Sequence, residues 1–312
     1  MISVVMSVYN EELDWIKEAV ESILLQTYSD FEFIIVIDNP SLSDNVRDYI
    51  EKKKETDRRI IILYNETNLG LALSLNRGIS VAKGDYIARM DADDIAVNER
   101  LQQEVDYLEQ YGVDMVSTNA VIIDEKSHEV RKGISLAENP MSDLEYTNTI
   151  VHPSVLIRKN VICDVGGYRN FTRSQDYDLW LRLISEGYQI RTINAYLMKY
   201  RVRTTSITKG GRLEQYYTNL YQKNLYKERI RKGSDSFSEE SFRKYLASKR
   251  ISQKKNERCL KCMERLDEAK LLLLKKDPKF VLRYLSATVI FPSIAIRSFI
   301  NFSNKKMKGR KT

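Results

Sequence analysis

The residues best suited to chemistry begin with Met90-Asp91-Ala92-Asp93-Asp94. Three carboxylates this close repel one another, so the pattern asks for a cation. In an extended strand residues i and i+2 share a side. Asp91 and Asp93 can then converge on a hard divalent cation, Mn²⁺ or Mg²⁺, and leave coordination positions for phosphate oxygens. The alternative reading is an acidic turn capping the next helix. Three other segments carry groups suited to a nucleotide: Tyr9-Asn10, Asp38-Asn39 and Asn68-Leu69-Gly70. An aromatic ring can stack on a base, a carboxylate can accept the imide N–H of uracil, and a helix N-terminus near Gly70 can offer donors to an anion. Each also has a plain structural reading: Tyr9 as a packed aromatic, Asp38 as a turn former before Pro40, Asn68 as a cap.

These four segments follow four apolar runs that read as strands: Ser3–Val8, Phe31–Ile37, Ile60–Tyr64 and Tyr86–Met90. Between them, helical spacing of Trp15, Ile16, Ala19, Val20, Ile23 and Leu24, of Val46, Tyr49 and Ile50, and of residues 70–80 predicts helices. Such alternation argues for a largely parallel sheet with helices on both faces, which binds ligands at the carboxyl ends of its strands. The order continues with a helix over 99–110, short strands at Met115–Ser117 and Val121–Ile123, and a polar connection over 125–146. A strand at His152–Arg158, a helix at Asp176–Glu186 and a strand at Tyr196–Val202 complete the body.

The 312 residues, 43% hydrophobic and 30% charged with 12 Gly and 5 Pro, exclude collagen-like, disulfide-stapled and mainly disordered chains. The net charge of +7 hides an asymmetry: residues 201–312 hold 29 Lys/Arg against 10 Asp/Glu, giving +19, which leaves −12 for residues 1–200. A basic helical tail on an acidic body points to a polyanion or anionic membrane as partner of the tail. Cys259 and Cys262 form one C-x-x-C without the further ligands a zinc site needs, and read as helix-borne thiols. The opening MISVVMSVYNEE lacks the features of a secretory signal, and the longest uncharged apolar run is too short to span a bilayer. The chain therefore reads as cytoplasmic.

The ordered segments SVVMSVYNEE with SILLQTYSDFE, FIIVIDNPS, NLGLALSLNRGISVAKGDYIARMDADD, and HPSVLIRK with VGGYR and SQDYDLWLRL resemble the inverting family 2 glycosyltransferases. The resemblance covers about residues 2–205 and is nearest to the amylovoran- and capsule-type enzymes of bacterial surface polysaccharides. It implies an α/β GT-A fold, a mostly parallel central sheet flanked by helices, as a catalytic domain over 1–210, with a basic helical region over 211–312. It further implies that Val8, Tyr9 and Glu11 line the nucleoside pocket and that Asp38 meets uracil. Asn68, Gly70 and Asn76 would shape the wall beneath the nucleotide. Asp91 would lie nearer the ribose and sugar, Asp93 would ligate Mn²⁺ or Mg²⁺, and Asp94 would stand behind them.

The base that deprotonates the acceptor hydroxyl would be Asp176 in Ser174-Gln175-Asp176-Tyr177-Asp178. Gln175 replaces the family's usual Glu and removes one cause of a raised pKa. Asp178 is the competing candidate, more naturally serving the helix dipole, and Asp176 itself also reads as a cap. Arg203 stands where many relatives have His and would pair with phosphate oxygens as a fixed cation. His152 would lie on the acceptor side, whereas Trp180 reads as core. The implied reaction is a single inverting displacement, moving sugar from a UDP-sugar to a hydroxyl of a saccharide acceptor linked to polyprenyl diphosphate.

Two alternatives remain at this level. A polyprenyl-phosphate sugar synthase would use the same carboxylates without needing Asp176 as base. A nucleic-acid-binding protein would use the basic tail, but no nucleic-acid motif accompanies it, and no nucleic acid is expected as partner. Residues 279–302 followed by Lys305, Lys306, Lys308, Arg310 and Lys311 suggest a helix lying on the inner membrane surface, or a helical pair packed on the body.

Overall fold

The computed structural model describes residues 1–133, 137–203 and 211–308, excepting the side chains of residues 132, 274 and 302–308. It contains two compact units, Met1–Arg203 and Thr204–Thr312. The boundary read near residue 210 lies outside the described residues, as do Thr204, Thr205 and Ser206.

The first unit starts with three βα repeats: β1 Ile2–Val8, α1 Leu13–Leu24, β2 Phe31–Ile37, α2 Asp44–Thr56, β3 Ile60–Tyr64 and α3 Leu71–Val81. β4 Tyr86–Asp91 follows, and β1 to β4 pair in parallel in the order β3-β2-β1-β4. Helices cover both faces, so β2 is buried along its whole length and reads as a continuous apolar run broken only by Glu32. Glu32 is satisfied by the Ser3 hydroxyl at 2.6 Å and by the Lys83 backbone N–H. α3 lies close on the sheet because residue 78 is Gly; a Cβ there would stand 2.6 Å from Val5 Cγ1.

Past β4 the order changes. β5 Ile95–Ala96, α4 Arg100–Tyr111, β6 Met115–Ile123, β7 Glu129–Lys132, α5 Met141–Leu144, β8 Leu156–Arg158, α6 Lys159–Asp164, α7 Gln175–Ser185 and β9 Ile190–Arg201 complete the unit. β8 inserts antiparallel between β4 and β6, β6 runs parallel to β9, and β5 pairs antiparallel with β9. Two expected short strands are thus one, β6. The polar connection 125–146 carries β7 and α5. The strand expected over His152–Arg158 begins only at Leu156; its first residues form a 3₁₀ turn, His152–Ser154. Pro153 has no N–H for a ladder, and the Ser154 hydroxyl donates back to the Val151 carbonyl oxygen at 2.8 Å.

Register fixes the rim. Ser7 stands beside Asp91 and Val8 beside Ile37, so the chain leaves β1, β2 and β4 at one edge, with Tyr9, Asp38 and Asp91 there. The short β5–β9 pairing brings the end of β9 to the turn that follows Asp91.

The second unit is helical: α8 Arg212–Lys232, α9 Glu239–Ser248, α10 Gln253–Leu274, α11 Phe280–Ile290 and α12 Pro292–Lys308. α8 stops at Gly233 in the left-handed region, φ 76°. Ser238 and Ser241 form a reciprocal capping box for α9, and Ser252 caps α10. Its core gathers Leu213, Cys259, Cys262, Leu266, Ala287, Ile294 and Ala295. Both thiols of the C-x-x-C are buried core groups, and burial pushes Cys259 up to about 11. No described helix is long and apolar enough to cross a membrane.

Candidate active site

Asp91 ends β4 and is ion-paired with Arg89, which lies two residues back on the same side of the strand and is itself buried. Asp93 follows in the turn, with Arg203 Nη2 2.7 Å from its Oδ2. Arg203 also lies over the Trp15 ring, 5.3 Å from its centroid. Asp94 is buried and accepts the Arg201 backbone N–H at 2.8 Å, while Arg201 Nε donates to the Asp93 carbonyl oxygen at 2.7 Å. The Arg201 side chain reaches on to Glu18, the Asp124 carbonyl and Ser127, so it holds the acidic turn by its backbone on one side. Burial, then the Asp91 charge, pushes Asp93 up to about 6, against Arg203; Glu11 adds to the rise.

Among the described residues no three carboxylate, His or Cys groups gather as a metal cluster; the oxygens on offer are those of Asp91 and Asp93, each facing one guanidinium, Arg89 and Arg203. That chemistry fits Mg²⁺ or Mn²⁺, which take oxygen ligands and would relieve the repulsion that lifts Asp93.

Along the rim formed by the ends of β1, β2 and β3 the residues expected at a nucleoside divide. Tyr9 is exposed, and Glu11 Oε2 accepts its backbone N–H at 2.8 Å. Asn39 Nδ2 donates to the Tyr9 carbonyl oxygen at 2.8 Å, tying the loops after β1 and β2. The Val8 side chain is in the core, so only its backbone reaches the rim, and its carbonyl takes the Asp38 N–H at 2.8 Å. Asp38 is buried and accepts from Asn65 Nδ2 at 2.6 Å, Leu69 N at 2.8 Å and Gly70 N at 2.9 Å. Its carboxylate thus braces the turn before α3, and a uracil N–H would have to share it with these donors. Asn68 Oδ1 also accepts the Gly70 N–H at 2.9 Å. The N–H groups of Leu69 and Gly70 are therefore used inside the protein, and the φ of +82° at Gly70 allows that turn.

Asn76 was expected in the wall beneath the nucleotide. Its amide clamps the backbone of Tyr168 in both directions, Nδ2 to the carbonyl at 2.7 Å and Oδ1 from the N–H at 2.8 Å. Gly167 permits this approach: φ is +67° and a Cβ would lie 2.6 Å from Asn76 Oδ1. Asp178 serves the same loop. It is buried, pairs with Arg182 at 2.8 Å, and Arg182 donates to the carbonyls of Val165 and, at 2.6 Å, Gly167. Asp178 is thereby removed as a competitor for the role of base.

Asp176 lies in the first turn of α7, partly buried, with Asn148 Nδ2 donating to its Oδ2 at 2.7 Å. Burial raises its pKa above the usual carboxylate range; the Asn148 bond opposes the rise and the Asp91 charge adds to it. His152 Nε2 lies 2.8 Å from the Tyr168 hydroxyl, and its ring meets Trp180 edge-on, with centroids 6.0 Å apart. Burial, with the Arg89 charge, holds this imidazole well below its ordinary pKa, so it is neutral at pH 7. Trp180 is fully buried. The Tyr200 hydroxyl is raised by burial first and then by Asp94, Asp91, Asp93 and Asp176 together. One phenol on β9 thus feels the acidic turn and the α7 carboxylate at once.

Arg89, Asn148, Tyr168, Tyr200 and Arg201 were not singled out from the sequence. Arg89 alone left a signal there, a cation in an otherwise apolar strand on the side of Asp91. Among the described residues its buried Nε and Nη1 have no hydrogen-bond partner, so the guanidinium is held chiefly by Asp91. Arg89→Met should leave Asp91 without its fixed counter-charge and cost about 100-fold in kcat/KM, the scale of a misplacement near 1 Å. Steady-state kinetics with a matched thermal melt checks this; unchanged kinetics in a folded variant would remove Arg89 from the site.

The model of glycosyl transferase family 2 matches residues 3–172. The amylovoran biosynthesis glycosyltransferase AmsE of Erwinia amylovora is 31% identical over 67% of this chain and 79% of its own length. An Escherichia coli enzyme named UDP-Glc:alpha-D-GlcNAc-diphosphoundecaprenol beta-1,3-glucosyltransferase WfaP is 32% identical over 67% of this chain and 80% of its own. Among solved structures, S. aureus TarS 1-349 in complex with UDP-GlcNAc aligns with a TM-score of 0.61 at 14% identity, covering 92% of this chain and 91% of that one. A longer TarS chain is spanned to 42%. The chain belongs to glycosyl transferase family 2. It is a glycosyltransferase with the GT-A fold, as the sequence resemblance implied.

Proposed function

We propose that the protein transfers a sugar, with inversion, from a UDP-sugar to a hydroxyl of a lipid-linked saccharide in the assembly of a surface polysaccharide. The observation that carries the reading is the acidic turn at the carboxyl end of β4, where Asp93 faces Arg203 at 2.7 Å, together with Asp176 in the first turn of α7, held by Asn148 at 2.7 Å. A donor's diphosphate and an acceptor's base are wanted within one sugar's reach. The names of AmsE and WfaP support the polysaccharide, the UDP donor and the polyprenol-linked acceptor.

In this reading the acceptor oxygen attacks the anomeric carbon while Asp176 takes its proton, and the bond from that carbon to the diphosphate oxygen breaks. Asn148 holds the carboxylate in place throughout. Asp93, with Asp91 beside it, would hold Mg²⁺ or Mn²⁺, which supplies positive charge opposite the departing diphosphate. Arg203 adds a second fixed cation beside Asp93. Tyr9, exposed at the end of β1, offers its ring to the base.

Calorimetric titration with UDP and with GDP, each with Mn²⁺ and with EDTA, tests the donor site without knowledge of the acceptor. UDP should bind in the presence of Mn²⁺ at least tenfold more tightly than with EDTA, an advantage of about 1.4 kcal/mol. Absence of UDP binding to the folded protein overturns the donor assignment, and equal binding with EDTA overturns the metal.

A further inference from the structure

The second unit carries an apolar surface that its own core does not use. Val281, Leu282, Leu285 and Val289 are exposed, Leu282 to 68% and Val289 to 81%. Their spacing places all four on one face of α11. Ala287, on another face, enters the unit's core, and Tyr284 packs against it. On α12 Ile294 and Ala295 are buried while Ile296, Phe299 and Ile300 are exposed. Tyr284 joins the two helices, its hydroxyl donating to the Ala295 carbonyl oxygen at 2.7 Å and its ring 5.8 Å from that of Phe299. Large apolar side chains on adjoining faces exceed the scattered exposure that soluble surfaces normally show.

The charge along this segment is predominantly basic, although Arg283 of α11 is paired with Glu268 of α10 at 3.0 Å. From Lys275 to Thr312 the sequence has ten Lys/Arg, and its one acidic residue is Asp277. Lys275, Lys276 and Lys279 are exposed at the turn between α10 and α11, and Arg297 is exposed among the apolar residues of α12. α11 has 11 residues; at about 1.5 Å per residue it is far shorter than the hydrocarbon core of a bilayer. An apolar face of this length with a basic rim suits a membrane interface and not a span.

We propose that α11 and the first turns of α12 form a docking surface for an anionic lipid bilayer. The side chains of Leu282, Leu285, Val289, Ile296 and Phe299 enter the acyl boundary, and the lysines meet headgroup phosphates. A nucleic acid would use the charge and leave the apolar face idle. A second copy would set the same positive rim against itself. Docking would bring the enzyme to a lipid-linked acceptor, a benefit that rests on the function proposed above. The surface itself does not depend on that function, and its test uses neither donor nor acceptor.

Co-sedimentation of the full chain with phosphatidylcholine vesicles, with and without phosphatidylglycerol, is the measurement. Anionic vesicles should bind at least about tenfold more tightly than neutral ones. Leu282→Ser/Leu285→Ser/Val289→Ser and Lys275→Glu/Lys276→Glu/Lys279→Glu should each lower that affinity by about tenfold or more. All six positions are exposed, so the melting curves should match wild type; if one variant fails to fold, the other still decides. Equal binding to both vesicles, or unchanged binding in a folded variant, overturns the proposal. So does binding of single-stranded polynucleotide without vesicle binding, or a concentration-dependent dimer that the apolar variant abolishes.

Discussion

Asp176→Asn should lower sugar transfer by about 10³- to 10⁴-fold, at the upper end of what a positioned base contributes, and leave UDP-sugar affinity nearly unchanged. The amide keeps the size of the carboxyl group and retains an oxygen for the 2.7 Å bond from Asn148 Nδ2. What it loses is the ability to take a proton. Asp176 does not share the buried ion pair that occupies Asp178, so the loss is not an indirect effect of unfolding the loop at Gly167. The pH dependence gives a second, independent readout. Below its pKa Asp176 is protonated and cannot accept the acceptor's proton, so wild-type transfer should rise with pH and level off above that pKa. Because burial and the Asp91 charge raise this pKa, the rising limb should lie above the range of ordinary carboxylates. The residual rate of the Asn variant should lack that limb. Normal transfer by the variant would point to an acceptor that needs no base, such as a lipid phosphate, and would remove Asp176 from the reaction.

Local pattern carried the sequence a long way because the first half of this fold is built from local units. β1 through α3 announce themselves by apolar runs and helical spacing, and the rim follows from strand order. The place of Met90 to Asp94, at the end of a strand on the rim, was legible because the apolar run of β4 stops there. Residues whose work depends on a distant partner were not legible. That Asn76 holds the backbone of Tyr168, 92 positions later, by both ends of its amide leaves no local trace. Asp38 reads as an acceptor for uracil or a turn former before Pro40, and its bonds to the Leu69 and Gly70 N–H groups belong to neither reading. Asn148 and Tyr200 have no local signature, since each matters through carboxylates that only the folded sheet assembles. Pro153 was visible, and its missing N–H should have shortened the strand read from His152.

Asp93→Ala should reduce Mn²⁺-dependent UDP affinity by at least about 100-fold, near 2.7 kcal/mol, and turnover by about 10³-fold. Two roles of Asp93 must be separated, because the same carboxylate is ion-paired with Arg203 at 2.7 Å. If Asp93 served only to position Arg203, then Arg203→Ala alone would reproduce the loss, the double variant would be no worse, and the difference between Mn²⁺ and EDTA would survive in Asp93→Ala. If Asp93 holds the cation, EDTA should have no further effect on Asp93→Ala while it still weakens binding by Arg203→Ala. Arg203→Ala should then cost less, because Asp91 and Asp93 keep their oxygens and lose only a neighbour that competes for one of them. Titration of Mn²⁺ alone gives the result without any nucleotide: heat in wild type and in Arg203→Ala, none in Asp93→Ala. Equal Mn²⁺ binding by wild type and Asp93→Ala would assign the acidic turn to holding Arg203 against Trp15, and the diphosphate would then be met by the guanidinium.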